Sequence, residues 1–210
     1  MLTQLLFRIK NIISSDNIKK NAALWLLLIA FFAPLKLHAF SMLLPDEEFR
    51  HMLRETIVEA DSFEDRWDAE VWMVDMAGRL KKFVPDKKEL LFILRTVHRE
   101  SIRYGIDPQM VLSIIHVESS FDKYAISTVG AMGLMQVMPF WKKELGGKSD
   151  NLLDIATNIR YGCAILKTYI KMEKGNKARA LARYNGSLGE TWYPNRVLKV
   201  WRNYWYVRSN

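Results

Sequence analysis

Beyond residue 40, apolar residues recur at steps of three and four almost throughout, and strand-like alternation is sparse. Pro45-Asp46 opens one stripe, with Phe49, Leu53, Ile57 and Ala60 on a face. Trp67, Val71, Val74 and Leu80 predict another. Asp86 is placed to cap a third helix, with Leu90, Leu94, Val97 and Ser101 on one side, Leu91 and Ile102 widening it, and Gly105 closing it. Asp107-Pro108 supplies an N-cap followed by proline at the first helical position, which starts a helix running through Glu118. Asp154 starts a further one, in which Ile155, Ile159, Gly162, Leu166, Tyr169 and Ile170 share a face until Gly175. Two more are expected around Ala178 to Tyr184 and Pro194 to Tyr206. The pattern predicts a compact, mainly α domain without internal repeats.

The first 39 residues differ. Ala22 to Ala33 is an uncharged apolar run that follows Lys19-Lys20 and stops at Pro34 and Lys36. It is shorter than the roughly 17 to 25 apolar residues of a membrane-spanning helix, and its basic flank and small terminal residues fit a secretory signal. Leu37-His38-Ala39 is the expected cleavage site, and an uncleaved anchor and a buried core segment are the alternatives. The first two send the chain across a membrane, to the periplasm or cell envelope, with inner-membrane association if the anchor stays.

Composition adds limits. The chain has 210 residues, 50% hydrophobic and 26% charged, so it can bury a core. Its single cysteine, Cys163, excludes an internal disulfide and a cysteine-rich zinc site. The net charge of +8 points less to nucleic acid than it first suggests. Half lies in residues 1–39, where Arg8, Lys10, Lys19, Lys20 and Lys36 face only Asp16. The rest carries 26 basic against 22 acidic residues, with no run of five like charges.

The candidate chemistry begins at Glu118. Val111, Ile114 and Ile115 form the buried stripe of its helix, and Glu118 continues that stripe at seven, four and three residues. A helix C-terminus disfavours negative charge through the backbone dipole, and burial favours the neutral carboxyl, as a general acid near neutral pH requires. A glycine-containing loop follows, in which Gly130 and Gly133 can bring backbone close to a ligand and Gln136 offers both a donor and an acceptor.

Three ordered segments then carry a resemblance. Glu118-Ser119, the run from Gly130 to Pro139 (GAMGLMQVMP) and Ala180 to Gly186 (ALARYNG) are similar to the signatures of the soluble lytic transglycosylase domain family, related to goose-type lysozyme. The resemblance covers about Leu90 to Tyr204. Tyr193, four residues before Val197, resembles the family's late active-site tyrosine, and Asn158-Ile159 with Gly162 supports the match. The chain departs from the pattern at Arg183, where the family has alanine, and at Gly186-Ser187-Leu188-Gly189, where it often has an Ala-Gly-Pro-Gly turn. Both lie at the groove wall in the family and bear on subsite preference.

The resemblance implies a lysozyme-like helical domain at 90–210, preceded by a helical extension at 40–89. It implies cleavage of the β-1,4 bond between N-acetylmuramic acid and N-acetylglucosamine in peptidoglycan glycan strands, releasing 1,6-anhydromuramic products. Glu118 would be the single acid and base. Ser119, Met135, Gln136, Tyr184, Asn185 and Tyr193 would bind substrate or position the glutamate. No cofactor and no metal is implied, since His38, His51, His98 and His116 share no ligand spacing. Two alternatives stay open: a muramidase that hydrolyses the same bond, for which Asp122 offers a second carboxylate, and a catalytically silent wall-binding protein. Taken alone, Asp122 reads as a turn residue, Cys163 as a core residue, and Val197, Trp201 and Tyr204 as a helix face packing on the core.

Overall fold

The structure, a computed structural model, describes residues 51–52 and 66–207, all within one compact unit spanning Glu48–Asn210. The signal segment and the stripe from Phe49 to Ala60 lie outside the described residues. Seven α-helices occur among the described residues: α1 Arg66–Leu80, α2 Lys87–Tyr104, α3 Pro108–Glu118, α4 Trp141–Leu145, α5 Ile155–Met172, α6 Lys177–Asn185 and α7 Trp192–Val200. A π-helical turn at Trp201–Trp205 continues α7. The only β pairing among them is two isolated bridges, Ile126 with Met132 and Met132 with Val137. The mainly α class expected from the apolar spacing is the class observed.

The helix starts follow their capping residues. The carboxylates of Asp86, Asp107 and Asp154 accept from the backbone N–H of Glu89, Gln109 and Thr157 at 2.7 to 2.8 Å, and Pro108 occupies the first turn of α3. At the other end of α2, Gly105 adopts φ 63°, a left-handed value that suits glycine. The core is continuous: α5 packs between α2 and α6, and α7 between α3 and α6. Leu90, Leu94, Val97, Val111, Ile114, Ile115, Ile159, Leu166 and Val197 are buried as the spacing predicts, and Cys163 is a core residue.

Two expected faces are corrected. In α1, Val71 is 58% exposed and Val74 is also exposed, whereas Ala69, Met73, Met76, Ala77 and Leu80 are buried. The two stripes share helical spacing but lie two residues, about 200°, apart. Unbranched methionines and small alanines make the close packing that the valines were expected to make. In α2, Ile102 is exposed and does not widen the apolar face.

The segment around α1 is bound into the domain. The phenol of Tyr204 donates to the Arg79 carbonyl at 2.7 Å, and the Arg79 guanidinium donates to the Tyr204 carbonyl while pairing with Asp75. Phe83 stands edge-on to His116 at 4.7 Å and lies 5.4 Å from Phe121, so its ring supports residues on both sides of Glu118.

Candidate active site

Glu118 sits at the last turn of α3, half-buried, behind a stripe of fully buried aliphatic residues. Three consecutive devices then turn the chain away from the helix. Ser119 accepts its place as C-cap, and its hydroxyl reaches both the Ile115 carbonyl at 3.2 Å and the Leu134 carbonyl at 2.8 Å. Ser120 and Phe121 adopt positive φ, 51° and 69°, a conformation that costs energy in residues with a Cβ. Phe121 offsets that cost by burying its ring against Phe83 and Trp205.

The loop that follows folds back as a small bridged turn. Its anchor is Asn158 in α5, a buried amide that uses both of its N–H donors and its oxygen. Its Oδ1 accepts from Met135 N at 2.7 Å, and its Nδ2 donates to the carbonyls of Met132 at 2.8 Å and Leu152 at 2.7 Å. Close approach demands glycine at two places. A Cβ on Gly133, at φ 74°, would come 2.6 Å from the Leu152 carbonyl, and one on Gly162 would overlap the Met135 side chain. Gly133 therefore serves contact between loop and helix. Gly130 stands in open space.

The predicted site residues divide into two groups. Glu118 and Tyr193 meet directly: the Tyr193 phenol, buried on α7, donates a short hydrogen bond to Glu118 Oε1. Met135, Tyr184, Gln136 and Ser119 meet around the loop. The Tyr184 phenol donates to the Met135 carbonyl at 2.8 Å, and Gln136, at φ 49°, donates from Nε2 to the carbonyls of Ala125 at 3.1 Å and Gly133 at 2.9 Å. The Met135 backbone groups and the Gln136 amide donors are thus engaged in holding the loop. Asn185 is exposed at the end of α6.

Electrostatics set the protonation states. Burial raises the Glu118 pKa above the ordinary carboxyl range, and the Tyr193 hydrogen bond and the Arg196 charge offset part of that rise. Burial, with the Glu118 charge adding to it, pushes both Tyr184 and Tyr193 well above the usual phenol range, so both remain donors. Burial, Lys82 and Arg196 lower His116, whose Nδ1 accepts from the Trp205 indole at 3.2 Å. The arrangement shifts one carboxyl toward its neutral form relative to a free glutamate, with a phenol fixing one of its oxygens.

The other carboxylate is placed differently. Asp122 Oδ1 accepts from Tyr124 N at 2.9 Å, a local turn bond, and the residue lines an open cavity of about 340 Å³ with Phe83, Pro85 and Glu89. The departure at Arg183 is likewise turned aside, since its guanidinium binds Glu173 at 2.5 to 2.8 Å. Three residues were not singled out for their own chemistry: Asn158, the clamp; Phe83, the support; and Arg196, whose charge acts on Glu118. Arg196 was legible as the residue three after Tyr193 on an amphipathic helix.

The family model for the transglycosylase SLT domain matches residues 95–197. Residues 95–197 belong to the transglycosylase SLT family. The chain is 34% identical over 110 residues to the transglycosylase of Enterobacteria phage PRD1, a match covering 50% of this chain and 41% of that protein. It is 44% identical over 82 residues to the membrane-bound lytic murein transglycosylase C of Mannheimia succiniciproducens, covering 35% of this chain and 23% of that one. The chain thus spans less than half the length of these curated relatives. The lytic transglycosylase Slt of Pseudomonas aeruginosa, solved as an inactive mutant, superposes with a TM-score of 0.43 at 22% identity, covering 67% of this chain and 30% of the solved one. The SLT-matched segment contains all of α3 to α6 and Glu118, Asn158, Tyr193 and Arg196, while α1 and Phe83 precede it.

Proposed function

We propose that the protein is a peptidoglycan lytic transglycosylase of the cell envelope, with Glu118 as its only catalytic carboxyl. The observation that carries this reading is the half-buried Glu118, its pKa raised by burial and one oxygen held by the Tyr193 phenol. The relatives named as transglycosylase and lytic murein transglycosylase support the choice of substrate.

The chemistry needs one carboxyl used twice. Protonated Glu118 gives its proton to the glycosidic oxygen, which leaves as the 4-hydroxyl of N-acetylglucosamine. The resulting carboxylate takes the proton from the C6 hydroxyl of the muramic residue as that oxygen attacks C1, closing the 1,6-anhydro ring and restoring the acid. No water is consumed. Tyr193 steadies the ionised state between the two transfers, because a phenol donor stabilises a carboxylate more than a carboxylic acid. Ser119, Asn158, Tyr184, Gln136 and the Met135 backbone form the frame that fixes the loop following Glu118, and Asn185 is exposed at the end of α6. Asp122 makes a local turn bond, which supports the reading in which Glu118 works without it.

The domain plan follows from the same reading: an export signal at 1–39, a helical extension at 40–89 and a catalytic domain at 90–210. Digestion of peptidoglycan by the protein and by Glu118→Gln tests it. Cleavage by the first and retained binding without cleavage by the second is the expected pair, and full activity in Glu118→Gln would remove the central residue.

A further inference from the structure

One face of α7 is turned partly to solvent at the edge of the Glu118 site. Tyr193, on that helix, touches Glu118 and is buried. Its neighbour Trp192 meets it edge-on at 5.7 Å yet is 54% exposed, an unusual position for so large an apolar ring. Arg196 lies three residues after Tyr193 and four after Trp192, and so shares a helical face with both. Its side chain is exposed, and its charge is felt at Glu118, Tyr193 and His116. Among the described residues, Arg79, Arg99, Arg103, Arg160, Arg179, Arg183 and Lys123 form ion pairs with carboxylates, whereas Arg196 and the exposed Arg202 form none, and of those two Arg196 is the one that shares a helical face with the residue touching Glu118.

An unpaired guanidinium whose charge favours the ionised form of Glu118 works against the first proton transfer. Packing does not explain it, since the residue is exposed. A substrate anion does, because a carboxylate seated on Arg196 would satisfy its planar fork of donors and cancel its charge at Glu118. The exposed indole four residues earlier offers a flat apolar face to a sugar ring at the same edge.

Resting on the peptidoglycan-cleaving reading, the geometry points to Arg196 as a specificity residue that binds a carboxylate borne on the lactyl side of the muramic residue, with Trp192 stacking an adjoining sugar. That carboxylate has two sources. In strands stripped of peptides it is the lactyl group itself, and in intact strands it belongs to the peptide stem.

The test measures KM and kcat at one pH for the full protein, Arg196→Gln and Arg196→Lys. Three substrates are compared: intact peptide-bearing strands, strands stripped by an amidase, and stripped strands whose lactyl carboxyls have been converted to neutral amides. Using one pH cancels the altered field at Glu118 when substrates are compared as ratios. The unsubstituted protein is expected to show a KM about tenfold lower on a carboxylate-bearing strand than on the amide, the scale of a charge-assisted hydrogen bond. Arg196→Gln should lose that preference while still cleaving the amide strands, and Arg196→Lys should keep part of it. A preference confined to stripped strands identifies the lactyl carboxylate, and one confined to intact strands identifies the stem. An undiminished preference in Arg196→Gln, with its melting temperature unchanged, would overturn the assignment. Cleavage of none of the three substrates by the unsubstituted protein would instead overturn the peptidoglycan reading, and this inference with it.

Discussion

Phe83 lies outside the SLT-matched segment, yet its ring props the turn that carries Glu118. Replacing it with alanine tests whether the segment before the matched domain is part of the catalytic fold. The ring is half-buried, stands edge-on to His116 and Tyr204 at 4.7 and 6.0 Å, and lies 5.4 Å from Phe121. Lys82 Nζ also sits 4.8 Å from its centroid. A fully buried Phe→Ala change costs about 3 to 5 kcal/mol, so a half-buried ring contributes about 2 kcal/mol through burial. Its edge-to-face contacts add about 1 kcal/mol beyond area. The expected destabilisation is therefore about 3 kcal/mol, or roughly 6 to 12 °C in melting temperature. Urea unfolding followed by tryptophan fluorescence measures it, with Trp205 in the same aromatic cluster as reporter. Phe83→Leu, which keeps most of the apolar area, should recover all but about 1 kcal/mol. Because His116 and Phe121 flank Glu118, kcat of Phe83→Ala should also fall about tenfold at temperatures where it is folded. A loss of stability under about 0.5 kcal/mol with kcat unchanged would refute the reasoning and separate the segment from the catalytic unit.

Further outcomes follow from the same geometry. Asn158→Ala strands the Met135 N–H and the Leu152 carbonyl, while the Met132 carbonyl keeps the Val137 N–H, so it should cost about 2 to 5 kcal/mol and abolish activity at 37 °C, as read by thermal melts and digestion assays. Glu118→Gln should raise the melting temperature at pH 8 and leave it nearly unchanged at pH 4. The folded state holds this carboxyl above its unfolded pKa, so its stabilising contribution is complete below the unfolded pKa and is lost as pH rises through the folded one. Tyr193→Phe removes the hydrogen bond that lowers Glu118, so the basic limb of the kcat/KM profile should move to higher pH while the maximal rate falls. Cys163, buried and with its thiol pKa raised by that burial, should resist alkylation at pH 8 until the protein is unfolded in denaturant.

The helices were legible where a capping carboxylate coincided with an apolar stripe, as at Asp86, Asp107 and Asp154. The face of α1 was not, because methionine and alanine at 69, 73, 76 and 77 competed with Trp67, Val71 and Val74 at equal spacing. Pattern alone cannot rank two stripes when flexible side chains pack as well as branched ones. Glu118 was visible as a carboxylate continuing an apolar stripe, and Tyr193 by its place in a family resemblance. Their direct bond crosses 75 positions and has no local signature. The same holds for Asn158, whose polar valences are spent on three loop carbonyl and amide groups 6 to 26 positions away. Arg183 and Arg196 look alike in sequence; only the fold gives the first a carboxylate partner in Glu173 and leaves the second exposed.

The central claim is that Glu118 acts alone, with the substrate's own hydroxyl in place of water. Peptidoglycan digested by the protein, reduced with borohydride and weighed by mass spectrometry tests it most directly. The account predicts soluble muropeptides ending in 1,6-anhydromuramic acid, which resist reduction and are absent from the Glu118→Gln digest. Reducible muramic ends would contradict it, since they require water in place of the C6 hydroxyl.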